Sequence, residues 1–204
     1  MNMLFIFDMG NVVTQNVDVI PEISDKLKIP ENEIRKYCGD DFRDLSIGFV
    51  STEQFWIDFS AYFNIPIHED YLYTCFHPVI DPEMAGLLLK IRDRQHRVVC
   101  GTNTLDSHYR HHLENDFYQV FDKVYASHMM GVAKPDPDFY SYILREEACM
   151  PSEAVFVDDL IENVVAARNE GIRAFQFFSI KRLLQDFNDS GIYRNNHSRI
   201  NGNI

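Results

Sequence analysis

The sequence predicts an α/β fold, a parallel β-sheet core flanked by helices, with a helical subdomain inserted after the first strand. The chain opens on five consecutive apolar or aromatic residues, 3–7, and from Asp81 onward short apolar runs alternate with helical patterns. Strands separated by helices of about ten to fifteen residues form right-handed βαβ units and pair in parallel. Residues 14–80 carry helical patterns and no convincing strand pattern, which indicates the insertion.

The first predicted strand, residues 3–7, is followed at once by Asp8 and is broken by Gly10 and Asn11. An apolar run without polar alternation is typical of a strand buried on both faces. Asp8 is therefore expected at the carboxyl end of a buried strand, where ligands bind in open α/β sheets. A carboxylate buried there needs a compensating charge. The alternative is that Asp8 only caps a following turn.

The inserted segment is predicted to be a compact bundle of helices. Apolar residues recur at helical spacing from Val17, a helix start follows Pro30, and residues 69–76 form a further helical pattern. Residues 51–54 have the spacing of a capping box and open a helix with an aromatic stripe. We expect this stripe to be the core of the insertion and not a platform for a ligand. Its members are Phe55, Trp56, Phe59 and Phe63.

After the insertion, helices and strands alternate to the end of the fold. Asp81, Pro82 and Glu83 supply an N-cap, a first-position proline and an acidic first turn, and Gly171 is expected just past a helix end. The predicted strands are 97–101, 123–127, 154–157 and 173–177, and the predicted helices are 81–94, one ending near 114, 136–147, 161–170 and 180–187. Residues 1–13 and 81–193 thus form the core, 14–80 the insertion, and 194–204 a polar tail expected to fray.

Composition excludes several classes of partner. The chain has 204 residues and a net charge of −12, with no cluster of Lys and Arg, so nucleic acid and anionic membrane surfaces are poor partners. No apolar run is long enough to cross a membrane, and the start lacks the basic region of a signal peptide. Four scattered cysteines without a CxxC pair indicate reduced thiols in a cytoplasmic protein. The oligomeric state is not readable from the sequence.

Polar side chains follow several of the predicted strands, and parallel pairing brings these ends to one edge of the sheet. They are Asp8, Thr102, Asn103, Lys134, Asp158 and Asp159. Three carboxylates in one place repel unless a cation intervenes. A few oxygen ligands favour Mg²⁺, which pairs carboxylates with a substrate phosphate. Lys134, with Thr102 and Asn103 at a helix N-terminus, can hold an anion, and Asp8 is then a plausible nucleophile. The pattern predicts a phosphoryl-transfer site.

Four segments resemble, in order and spacing, the four motifs of the haloacid dehalogenase-like (HAD) hydrolases. The segments are FIFDMGNVV, GTNT, GVAKPDPDFY and AVFVDDLIEN. The helical insertion falls where that superfamily places its small cap. The opening motif and residues 47–56 look most similar to the branch that includes sugar-1-phosphate phosphatases. The resemblance implies a Rossmann-like core, a helical cap, and a phosphatase that acts on a small phosphorylated metabolite such as a sugar phosphate.

The resemblance also implies a mechanism. Asp8 would attack phosphorus, and water would then hydrolyse the acyl phosphate. Asp8, the main-chain carbonyl of Gly10 and Asp159 would bind Mg²⁺, with Asp158 either a further ligand or just outside the ligand set. Thr102, Asn103 and Lys134 would bind the phosphoryl oxygens.

Gly10 departs from the family pattern. Most phosphatases of the family carry a second aspartate at this position, which protonates the leaving oxygen. Such general acid catalysis contributes about 10²–10⁴-fold. Either the substrate has a good leaving group, or another group or water supplies the proton, or turnover is slow. Two alternatives follow: carbon–halogen cleavage, against which the Asp158–Asp159 pair argues, and a HAD-fold protein with little catalysis that binds a phosphorylated ligand or a protein partner.

Two other groups of side chains admit simple explanations. His108 and His112 are spaced i, i+4 near His111, as in some zinc sites, but no further ligand is evident, so we expect these histidines to face solvent. Residues 40, 41 and 43 are charged and either line the substrate pocket from the cap or are simply solvated.

Overall fold

A computed structural model describes residues 2–192, apart from the side chains of Asp40 and Asp41. The predicted fraying of residues 194–204 lies outside the described residues. The strands are β1 (Leu4–Phe7), β2 (Thr14–Gln15), β3 (Val79–Ile80), β4 (Arg97–Thr102), β5 (Lys123–Ala126), β6 (Ala154–Asp158) and β7 (Arg173–Gln176). The helices are α1 (Ile20–Leu27), α2 (Glu31–Ser46), α3 (Thr52–Phe63), α4 (Tyr71–Thr74), α5 (Pro82–Asp93), α6 (Asp106–Glu114), α7 (Ser127–Met130), α8 (Pro137–Glu146), α9 (Ile161–Asn169) and α10 (Ile180–Asp189). Among these, no helix is both long enough and apolar enough to span a membrane.

The predicted α/β fold is confirmed, and β1 is its central strand. In the part of the chain that the structure describes, five parallel strands form one sheet in the order β5-β4-β1-β6-β7. The side chains of β1 are buried on both faces. Phe5 and Phe7 pack in one layer with α5 and α10, whereas Leu4 and Ile6 pack in the other with α8 and α9. Asp8 therefore directly follows the central strand of the sheet, whose residues are all buried.

The insertion has its own apolar core, as predicted. Phe55, Trp56 and Phe59 are buried in a cluster contributed mainly by α1–α4, and Phe63 packs against them. The hydroxyl of Ser51 accepts from the backbone N–H of Gln54 at 3.1 Å, so the predicted start of α3 is confirmed. The division of the chain into a core and a cap at residues 14 and 80 stays a prediction.

The prediction that residues 14–80 contain no strand is wrong. β2 pairs antiparallel with β3, with Thr14 opposite Ile80. Two-residue strands are too short to show an alternating pattern, and their pairing joins residues that are far apart in sequence. The ribbon brings the two ends of the insertion together next to the turn that follows Asp8, where the Thr14 backbone N–H donates to the Met9 carbonyl at 2.8 Å. Its neighbour Asp81 donates its backbone N–H to the Val13 carbonyl at 2.9 Å and so fixes the return into α5.

Candidate active site

The carboxyl ends of three neighbouring strands bring the predicted side chains together. Asp8 follows β1, Thr102 ends β4 and Asp158 ends β6. Lys134, from the loop between α7 and α8, extends its ammonium group between two of them. Its Nζ lies 2.9 Å from Asp8 Oδ1 and 2.6 Å from Asp158 Oδ2. The ammonium is buried and can neutralise one carboxylate.

Asp158 is held entirely by protein groups. Its Oδ2 accepts from Lys134 Nζ, and its Oδ1 accepts from the backbone N–H of Leu160 and from Asn163 Nδ2, each at 2.9 Å. Asn163 is itself fixed, because the Tyr140 hydroxyl donates to its carbonyl at 2.8 Å. Asp158 is fully buried. The arrangement favours Asp158 as the anchor of Lys134.

Asp8 and Asp159 keep oxygen atoms available. Asp8 Oδ1 accepts from Lys134 and from the backbone N–H of Met9 at 2.7 Å, whereas Asp159 Oδ2 accepts from Asn11 Nδ2 at 3.1 Å. One carboxylate oxygen from each of Asp8, Asp158 and Asp159 lies within 4.8 Å of the others. Three carboxylates and one ammonium leave two negative charges uncompensated. This donor set fits a hard divalent cation such as Mg²⁺.

The electrostatics of the site favour cation binding. Burial raises the pKa of Asp8 to about 7, with Lys134 opposing the rise and Asp158 adding to it. Burial also raises the pKa of Asp159. For Lys134, burial alone would lower the pKa of the ammonium, but the carboxylates of Asp8 and Asp158 outweigh burial and raise its pKa. A cation between Asp8 and Asp159 would stabilise both charged forms.

The side chain of Asn103 holds the backbone of Lys134. Its Nδ2 donates to the Lys134 carbonyl at 2.9 Å, and its Oδ1 accepts from the Lys134 backbone N–H at 2.8 Å. The side chain expected to bind phosphoryl oxygens is thus engaged in positioning Lys134. Thr102 is buried, and within residues 2–192 its hydroxyl makes only a weak contact, 3.5 Å to the Asn103 carbonyl. The Thr102 hydroxyl can therefore donate to a ligand.

Gly10 and Asn11 form the turn that aims Asp8. Asn11 adopts a left-handed backbone conformation, φ 57°, which asparagine tolerates better than most residues. The sequence places Asn11 in the break after the first strand and does not reveal its contact with Asp159. A Gly-Asn pair directly after a strand was the available signal. At Gly10, an added Cβ would meet only the Val17 methyl groups at 3.8 Å, an ordinary contact.

The expectation that the three histidines face solvent is wrong. His112 is buried, and the half-buried His108 stacks on Phe76 with ring centroids 3.8 Å apart. The Phe76 ring also lies 5.1 Å from the ring of His112. Phe76 therefore packs against both imidazoles, which argues against a zinc pair. Burial lowers the pKa of His108 to about 3 and that of His112 to about 4, because α4 and the segment that follows it pack against this face of α6.

A cleft extends from Lys134 toward α2. It encloses about 660 Å³ and lies between the C-terminal half of α2, the loop after β4 and the loop before α8. Among its lining residues, Phe42, Arg43 and Ser46 come from the insertion, and Asn103, Leu105, Lys134 and Asp136 come from the core. A group bound at Lys134 can extend into this cleft.

Comparison with known proteins identifies similar chains. The sequence model of the haloacid dehalogenase-like hydrolases matches residues 3–171. Over 100 residues the chain is 34% identical to a sesquiterpene phosphatase of Aspergillus oryzae. This alignment covers 48% of this chain and 50% of the phosphatase. Over 55 residues it is 34% identical to the D-ribitol-5-phosphate phosphatase of Bacteroides thetaiotaomicron, 27% of each chain. The chain thus spans half or less of these curated relatives.

Solved structures share the fold. A HAD family enzyme from Bacteroides thetaiotaomicron, crystallised with magnesium and inorganic phosphate, superposes with a TM-score of 0.77 at 22% identity and covers 90% of this chain and 99% of its own. The L-2-haloacid dehalogenase of Xanthobacter autotrophicus gives a TM-score of 0.60 at 16% identity and covers 95% of this chain and 85% of its own. At these identities the likeness is one of fold.

Proposed function

The chain belongs to the haloacid dehalogenase-like hydrolases, and from this premise we propose that it is a Mg²⁺-dependent phosphatase. It hydrolyses a small phosphorylated metabolite through a phosphoaspartyl intermediate on Asp8. One observation carries the proposal: Asp8 lies beside the buried ammonium of Lys134, in a cluster that leaves two negative charges for a divalent cation. Two curated relatives named as phosphatases and a structural neighbour crystallised with magnesium and phosphate support it.

The carboxylates of the site have different tasks in the proposed reaction. Asp8, the Gly10 carbonyl and Asp159 would hold Mg²⁺, and Asp158 would anchor Lys134, because its own oxygen atoms are already engaged. When bound, Mg²⁺ polarises the phosphoryl oxygens and offsets the charge of the nucleophile. Residues 14–80 would act as a cap over a core of residues 1–13 and 81–193.

In the proposed reaction, side chains of this chain supply the nucleophile and the donors to phosphate, and water supplies the protons. The Asp8 carboxylate attacks phosphorus in line, the bond from phosphorus to the ester oxygen breaks, and the leaving oxygen takes a proton from water. Lys134 Nζ and the Thr102 hydroxyl donate to the phosphoryl oxygens, where charge develops. Water then attacks the phosphorus of the acyl phosphate, and the bond from phosphorus to Asp8 breaks. The proton lost by the attacking water neutralises the hydroxide left by the first step, and inorganic phosphate and the Asp8 carboxylate are released.

Gly10 favours a second candidate function, a protein that binds a phosphorylated ligand or a protein partner with little turnover. No side chain occupies the position of the usual acid, so poor leaving groups would depart slowly. The two candidates differ in whether phosphate is released from esters with good leaving groups.

Release of inorganic phosphate from a panel of phosphate esters, with Mg²⁺ or with excess chelator, tests the proposal. We expect release from aryl phosphates and from at least one phosphorylated metabolite in Mg²⁺, and none with chelator or with Asp8→Asn. Full activity in chelator would contradict the metal assignment. Binding of phosphate esters without any release would establish the second candidate.

A further inference from the structure

The cleft beside Lys134 has two chemically different walls. The leaving group of an ester phosphate held at Lys134 can extend into this cleft, and the walls would then determine which leaving groups fit. Part of the wall is apolar and comes from Phe42, Leu105, Pro135 and Pro137. Phe42 is half-buried and packs on Phe55 with ring centroids 5.9 Å apart, so this surface is fixed before a ligand arrives. A leaving group with apolar surface fits this wall.

The charge in the cleft is concentrated on one residue. Among the lining side chains, Lys134 and Arg43 are the Lys and Arg residues, and Lys134 is committed to two carboxylates. His108 adds no positive charge near neutral pH, because burial lowers its pKa to about 3. The acidic lining residue Asp136 caps α8 and accepts from the backbone N–H of Asp138 at 3.0 Å. Arg43 is exposed, and its guanidinium forms no ion pair or hydrogen bond with any residue whose side chain the structure describes.

We propose that Arg43 is a specificity-determining residue that binds a second anionic group on the leaving group of the substrate. The substrate is then a phosphate ester whose leaving group combines apolar surface with a carboxylate or a second phosphate. Guanidinium donors match either anion in a bidentate manner. In a chain with a net charge of −12, a second anion gains little from the overall field, so this local cation decides the preference. The inference rests on the proposed phosphatase function.

Three aryl esters with one apolar body provide the probes: phenyl phosphate, 4-carboxyphenyl phosphate and 1,4-phenylene bisphosphate. Their dissociation constants from the Asp8→Asn protein are measured by calorimetry in Mg²⁺, and their kcat and KM are measured with the parent enzyme. 4-Carboxyphenyl phosphate and 1,4-phenylene bisphosphate each carry a second anionic group. We expect at least one of these two esters to bind more tightly than phenyl phosphate. Arg43→Ala should weaken that ester about 10- to 150-fold, the factor for a lost charged hydrogen bond, and should weaken phenyl phosphate much less. The change should lie in KM more than in kcat.

Two variants make the result specific. Arg43→Lys keeps the charge without the planar fork and should recover part of the binding. Lys36→Ala removes a cation from the same helix outside the cleft and should leave all three esters unchanged. A preference for the carboxylate or for the second phosphate identifies which anion Arg43 recognises. Equal binding of all three esters, or an equal loss for all three in Arg43→Ala, would overturn the inference. Failure of the parent enzyme to hydrolyse any of them would instead count against the phosphatase function.

Discussion

At the scale of single residues, we propose that Gly10 determines which leaving groups the protein tolerates. An added Cβ at Gly10 has room beside Val17, and the backbone φ there is not in the left-handed region. We predict that Gly10→Asp accelerates hydrolysis of alkyl phosphates by up to about 10²–10⁴-fold, because it supplies the missing general acid. Aryl phosphates, which leave as stabilised anions, should change little. Steady-state rates across a series of leaving groups measure the effect.

Gly10→Ala is the matched control, since it adds the Cβ without the acid and should not alter the dependence on leaving group. A parent enzyme that is equally fast on aryl and alkyl phosphates would show that another group already supplies the proton. The prediction would then fail.

Asp158 and Asp159 are neighbours in sequence with different predicted tasks. Loss of a residue that only hydrogen-bonds a metal ligand typically weakens metal binding roughly 10- to 100-fold. Asp159→Asn should weaken Mg²⁺ binding by more than this, because it removes a direct ligand. Asp158→Asn should stay within or below that range and mainly reduce kcat, because it releases Lys134. Calorimetric Mg²⁺ titration and steady-state kinetics separate the two. Equal losses of Mg²⁺ affinity in both variants would contradict the division.

The sequence predicted which side chains converge better than it predicted the hydrogen bonds that position them. Asp8, Lys134 and Asp158 converge as expected, since parallel strands align their carboxyl ends. The contact from Asn103 to the Lys134 backbone and that from Asn11 to Asp159 join residues 31 and 148 positions apart. Such long-range hydrogen bonds leave no local pattern in a single sequence.

At the scale of secondary structure elements, Asp70 fastens the insertion to the core helix α6. It accepts from Trp56 Nε1 at 3.0 Å, from the Ser107 hydroxyl at 2.6 Å and from Arg110 at 3.3 Å. We predict that Asp70→Ala lowers the free energy of unfolding by about 1–3 kcal/mol, because buried donors lose their acceptor. It should also raise KM, since the cleft wall is carried by the insertion.

Denaturant unfolding and substrate kinetics measure this effect. Asp58→Ala is the control, because Asp58 is exposed on α3 and accepts only within that helix, from Gln54. Unchanged stability and KM in Asp70→Ala would show that packing alone holds the insertion.

The buried His112 makes the packing of the insertion against α6 sensitive to pH. Its pKa of about 4 in the folded state lies below the ordinary 6.5, so the unfolded chain binds the additional proton as the pH falls. Stability is complete above about pH 6.5 and declines toward pH 4, by about 2 kcal/mol at pH 5 from this group. His112→Phe, in an aromatic environment, should remove that part of the decline, whereas the exposed His68→Gln should not. Parallel declines in parent and His112→Phe would contradict the prediction.

Most elements were predictable because caps and apolar periodicity are local. The starts of α3 and α5 at Ser51 and Asp81 follow directly from their side chains. The ribbon of β2 and β3 and the burial of His112 were not predictable, because both depend on packing between distant segments.

At the scale of the whole molecule, two layers of helices hold a sheet whose central strand is followed directly by Asp8, the proposed nucleophile. Alternating strands and helices predicted this architecture, since their spacing restricts the topology. The substrate was not predictable, because the cleft is formed between α2 and two core loops that lie far from one another in the sequence. Net charge gave only the broad exclusion of polyanionic partners.

In the proposed reaction, Asp8 carries the phosphoryl group during turnover. The most direct measurement is a rapid acid quench of the enzyme with an aryl phosphate in Mg²⁺, followed by peptide mass spectrometry. We predict one phosphoryl group on Asp8, lost on treatment with hydroxylamine as expected of an acyl phosphate and absent from Asp8→Asn. A phosphoryl group on any other residue, or steady turnover by Asp8→Asn at the parent rate, would contradict the account.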